Sequence, residues 1–134
     1  MFANPIASYQ QISIESEVRG ADPRHLITLL FDGAETALNK AQTQLANNDF
    51  RGKSESITKA IAIIVEGLSA SLNLNEGGEL AQNLAALYDY MVTRLVHANV
   101  RNDTVAIREV LGLLSEIGGA WKMMGTDANG DDNP

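Results

Sequence analysis

Two histidines, His25 and His97, are the only imidazoles in the chain and the first places to look for acid–base or metal chemistry. They fall on different segments, and neither stands beside a serine nucleophile pattern. His97 sits in the last turn of an expected helix, where a protonated ring is favoured by the helix dipole. A di-metal carboxylate bundle requires Glu-x-x-His motifs on two helices, and three residues before each histidine stand Asp22 and Arg94 instead. Glu35, Glu66 and Glu116 are scattered beside apolar stripes and read as solvated charges. Near the C-terminus, Asp127, Asn129 and Asp131 match the first, third and fifth ligand positions of a calcium loop. Asp132 stands where the loop's glycine belongs, and the sequence ends before the bidentate glutamate. No glycine-rich phosphate loop is present. With no cysteine there is neither disulfide nor thiolate chemistry. The sequence points away from an enzyme and calls for no cofactor or metal.

Charge narrows the partners. The formal net charge is −7, whereas phosphate binding depends on clustered Lys and Arg, so nucleic acid is not the expected partner. The start MFANPIASYQQ has neither a basic opening nor an apolar run, so it is not a signal peptide. No apolar run approaches the roughly 20 residues that span a bilayer. The expected location is the cytoplasm, with no membrane insertion.

The elements that would position any site are four helices. The first opens at Asp22-Pro23, a capping residue followed by a proline suited to the first turn. Ile27, Leu30, Phe31, Ala34, Leu38, Ala41 and Leu45 then recur at spacings of three and four. The second spans about Ser54 to Leu72 on Ile57, Ala60, Ile61, Ile64, Leu68 and Leu72. The third carries Leu80, Leu84, Leu87, Tyr88, Met91, Leu95 and Ala98. The fourth starts near Asp103 and carries Ile107, Val110, Leu111, Leu114, Ile117, Gly118 and Trp121. Connections of roughly five to eight residues make sequential helices antiparallel neighbours. The expected fold is all-α, an up-down-up-down four-helix bundle over residues 22–124. Residues 1–21 form a flexible N-terminal segment, and the polar, acidic residues 125–134 read as a disordered tail.

A bundle helix needs about three apolar positions in seven, and these helices carry more. Ile63 and Val65 lie off the second stripe, and Ala81, Ala85, Val92 and Val96 lie beside the third, with Asp89 and Tyr90 flanking them. Gly67 and Gly118 fall inside predicted helices, where each costs up to about 1 kcal/mol relative to alanine. Gly67 either accommodates a neighbouring helix of the same bundle or smooths a groove for a foreign one. The surplus surface accordingly reads as scattered surface apolars or as a shallow track for an amphipathic helix. Leu84, Leu87, Tyr88, Met91 and Leu95 are assigned mainly to the core. The expected binding track comprises Ile63, Val65, Gly67, Ala81, Ala85, Tyr90, Val92 and Val96. Ile6 and Tyr9 stand three apart in an otherwise polar segment. They could cover one end of the core, anchor another protein, or fold back into the chain's own groove.

Four stretches carry a family resemblance: ADPRHLITLLFDGAETAL, KAIAIIVEGL, GGELAQNLAALYDYMVTRLVHANVRND and LLSEIGGAW. Their order and spacing over residues 6 to 123 resemble the flagellin-export chaperones, the FliS family. The resemblance implies an antiparallel helical bundle in the bacterial cytoplasm. Such a protein binds the disordered C-terminal segment of flagellin, prevents premature polymerisation, and delivers the subunit to the flagellar type III export gate. It also implies that Ile6 and Tyr9 contact the gate's cytoplasmic domain. Some members also bind an anti-sigma factor. The competing expectation is a bundle that self-associates, as a homodimer for example, or a regulatory adaptor without a flagellin client.

Overall fold

The computed structural model describes the backbone of residues 22–132 and the side chains of 22–124. Ile6 and Tyr9 lie outside the described residues. Helix α1 spans Pro23–Ala46, α2 spans Phe50–Ala62, α3 spans Gly78–Arg101 and α4 spans Thr104–Asp132. A π-helical stretch, Ile63–Ser69, continues α2 without a break. The four-helix expectation holds, and no strand occurs among the described residues.

The local signals explain most boundaries. Asp22 Oδ1 accepts a hydrogen bond from the His25 amide at 2.8 Å, and Pro23 follows at the start of α1. Asp49 caps α2 by accepting from the Gly52 amide at 3.0 Å. That cap starts the second helix at Phe50, earlier than Ser54, because the polar stretch NNDFRG holds both a turn and a helix start. Asp103 caps α4 by accepting from the amides of Val105 and Ala106. The two glycines before α3 are required for different reasons. A Cβ on Gly77 would sit 2.6 Å from the Asn73 carbonyl oxygen, and Gly78 has φ +61°, a backbone region few other residues tolerate. At the other end, α4 continues eight residues into the stretch read as a tail. Once nucleated, a helix adds each further residue at little cost.

Two contacts show the antiparallel arrangement. Trp121 Nε1, late in α4, donates to the Arg24 carbonyl at the start of α1. Lys53, at the start of α2, donates from Nζ to both the carbonyl and the Oδ1 of Asn99, each at 2.8 Å, at the end of α3. Carbonyls in the last turn of a helix lack partners within it, so this buried ammonium closes the end of α3. Burial pushes the Lys53 pKa down. In sequence Lys53 looks like any surface lysine, and nothing marks it as one of the few buried polar residues.

The core is one cluster containing Leu38, Ile57, Ile64, Met91, Leu95, Ile107, Val110 and Leu114. Buried alanines recur through it: Ala34, Ala37 and Ala41 in the second half of α1, Ala60 late in α2, Ala98 late in α3 and Ala106 early in α4, with Ala81 at the opposite end of α3. Small side chains let backbones approach closely. The bulky end is filled by Phe31, Leu68, Tyr88 and partly buried Ile27, Leu84, Leu87 and Trp121. The groove described below opens among these residues.

Candidate binding groove

At the bulky end the bundle fails to close, leaving an open groove of about 430 Å³. Ile27 and Phe31 of α1 form one side. Leu80, Leu84, Leu87 and Tyr88 of α3 form another. Leu113, Ile117, Ala120 and Trp121 of α4 complete it, with Leu68 and Leu72 at the base. Ser71 and Glu116 are the polar residues on its surface. The volume is within the usual range for a ligand site. Its open shape and leucine-rich wall suit the apolar face of a helix. Burial holds the Tyr88 phenol above its ordinary pKa. Close packing fixes the groove's floor. A Cβ on Gly118 would lie 3.1 Å from Phe31 Cγ, so glycine leaves the space the Phe31 ring occupies.

None of the eight track residues selected from sequence lines this groove. Ala81 is buried at 5% exposure and offers no surface. It packs under Gly77, whose Cβ position is 2.6 Å from the Ala81 methyl. Gly67 faces its own bundle: a Cβ there would fall 2.8 Å from Leu30 Cδ2. Ile63 and Val92 are half-buried against the core, and Ala85 is half-buried. Val65, Tyr90 and Val96 are exposed.

The eight also do not share a face. At about 100° per residue, Ala85, Val92 and Val96 align on α3 with Asn99, the row that meets Lys53 of α2. Tyr90 lies well round the helix and turns toward α4. Its hydroxyl donates to Glu109 Oε2 at 2.5 Å, and Arg94 Nε donates to Glu109 Oε1 at 2.7 Å. The tyrosine that sequence placed beside a track is therefore a strut between α3 and α4.

Sequence reasoning missed the groove because Leu84, Leu87 and Tyr88 continue the same stripe as the fully buried Met91 and Leu95. Spacing alone gives no signal that separates the two groups.

The Tyr90 and Arg94 hydrogen bonds hold the Glu109 carboxyl below its usual pKa, the tyrosine contributing most. A depressed carboxyl stabilises the fold above its unfolded pKa, near 4.5, and that stability is lost as pH falls through the folded value. Glu109→Gln should therefore flatten the decline in urea midpoint from pH 6 toward pH 3. A decline as steep as that of the unmodified protein would show that the strut carries no pH-linked stability. The same network holds the Tyr90 hydroxyl above its ordinary value, chiefly through the Glu109 hydrogen bond.

The fold and the site together define a helical bundle with a preformed, solvent-open, leucine-lined groove. Comparison with known proteins supplies the particular family. Residues 5–128 match the family model described as Flagellar protein FliS. The chain is 50% identical over 127 residues to the flagellar secretion chaperone FliS of Salmonella typhimurium, covering 95% of this chain and 94% of that one. Identity to the flagellar secretion chaperone FliS of Escherichia coli is 48% over 115 residues, covering 86% and 85%. Against that of Bacillus subtilis it is 37% over 119 residues, covering 89% and 84%. The chain belongs to the FliS family of flagellar secretion chaperones and is not an enzyme. Among the described residues, no helix is long and apolar enough to cross a membrane.

Proposed function

We propose that this chain is a cytosolic export chaperone for flagellin. It binds the subunit's disordered C-terminal segment, blocks premature polymerisation and delivers the subunit to the flagellar export gate. The observation that carries this reading is the open apolar groove at the bulky end of the bundle. Folding a disordered segment on binding typically buries on the order of 1,000–3,000 Å² and loses some 2–5 kcal/mol to ordering. A groove of this size accommodates only part of such an area. The exposed or half-buried row Val65, Ala85, Val92 and Val96 is a fitting continuation of the track around α2 and α3. The assignment of Ile6 and Tyr9 to the export gate rests on family resemblance, as does contact with an anti-sigma factor.

Co-expression with a flagellin C-terminal segment tests the proposal. A one-to-one complex by size-exclusion chromatography with light scattering is the expected result. Separate elution of the two components would overturn it. A homodimer whose mass is unaffected by the segment would favour self-association instead.

A further inference from the structure

Tyr88 stands where the groove wall of α3 runs into the core. Leu80, Leu84 and Leu87 line the opening with it, and the next residue of the stripe, Met91, is fully buried. The tyrosine is 4% exposed, yet its hydroxyl makes no hydrogen bond among the described residues. Among those residues only Nη2 of Arg24 is both unpaired and shut off from solvent, so the Tyr88 hydroxyl keeps an opening to the groove it lines. Tyr90, by contrast, donates its hydroxyl to Glu109. Burial is the cause that raises the Tyr88 pKa, whereas the Glu109 hydrogen bond leads for Tyr90.

We propose that the client helix seated in the groove presents one uncharged polar side chain, Asn, Gln, Ser or Thr, on its apolar face, and that this group hydrogen-bonds to the Tyr88 hydroxyl. This rests on the reading of the groove as the client site and specifies the chemistry of the occupant. An apolar helix that fills the groove takes water away from the hydroxyl, and a buried phenol without a partner is costly. The groove's other polar groups make no such demand. Ser71 Oγ already donates to the Gly67 carbonyl at 2.6 Å, and Glu116 is exposed, so its carboxylate can stay in water at the rim. Carbonyls and amides in the interior of a helix are bonded within it, which leaves a side chain as the partner. A charged side chain would lose its hydration in an apolar site, and a carboxylate would also meet Glu116 of the same lining. One polar residue in an apolar seam fixes register, so this pair decides how far along the groove the client helix sits.

A double-mutant cycle by calorimetry tests the pairing. Full-length protein and its Tyr88→Phe variant, which removes only the hydroxyl oxygen, are titrated with the flagellin C-terminal segment. The segment is also made with each Asn→Leu, Gln→Met, Ser→Ala or Thr→Val change in turn. Tyr88→Phe should weaken binding about five- to a hundredfold, the range for leaving a buried hydrogen-bonding group unpaired, with the melting temperature of the free protein unchanged. One client substitution should weaken binding to the unmodified protein by a similar factor and restore binding to Tyr88→Phe, because replacing both partners leaves nothing unpaired. Equal affinity of Tyr88→Phe, or a loss that no client substitution restores, would overturn the pairing while leaving the groove assignment intact. A lower melting temperature for free Tyr88→Phe would show that the hydroxyl already has a partner within this chain, and the proposal falls. Absence of binding by the unmodified protein would remove the client reading and the pairing together.

Discussion

Replacing Leu80 with aspartate is expected to weaken binding of the flagellin segment at least about a hundredfold while leaving the fold intact. Leu80 is 65% exposed in the free protein, so its removal deprives the core of little. It lies in the first turn of α3 beside Glu79, where a further negative charge is favoured by the helix dipole. In the complex its position reverses. The leucine lines the groove, and burying a leucine side chain contributes about 1.5–3 kcal/mol. An aspartate enclosed there without a cation adds a desolvation cost of several kcal/mol more. A total of about 3 kcal/mol is already a hundredfold in affinity. Calorimetric titration alongside a far-ultraviolet melting curve measures both quantities. Val96→Asp is the informative comparison, since Val96 is also exposed, at 50%, but lies on the row facing α2. Should Val96→Asp abolish binding and Leu80→Asp leave it unchanged, the flank between α2 and α3 would be the principal track and the groove would not.

Gly118→Val should cost about 2–3 kcal/mol of stability, within the range for overpacking a filled core. For a bundle of this length that is a drop on the order of 7–13 °C in Tm. Gly118 is buried within α4, and a Cβ built on it would lie 3.1–3.2 Å from three atoms of Phe31. Phe31 itself is 2% exposed and has little room to retreat. Alanine at 118 would set the improved helix propensity, up to about 1 kcal/mol, against one tight contact. Valine adds two further methyl groups to the same contact and loses side-chain freedom in the helix. Because Phe31 forms part of the groove, displacing its ring toward the opening should also reduce client affinity. Gly112→Val is the control, as a Cβ there meets nothing within 4 Å. Equal melting temperatures for the two variants would mean that α1 and α4 separate freely, contrary to the packing described.

The sequence alone determined the helices, their order and their antiparallel path. Those features follow from local chemistry: Asp22 and Asp103 satisfy free amides, Gly77 and Gly78 fit a turn other residues would obstruct, and apolar residues recur at helical spacing. Only the tertiary structure decided which apolar residues remain open to a partner. Leu84 and Met91 belong to the same stripe, yet one lines the groove and the other is fully buried. The difference comes from what the neighbouring helices place opposite each residue, which the stripe itself does not record. Spacing along one helix records direction around that helix. It carries no measure of distance to the next, and that distance makes a core position into a binding position.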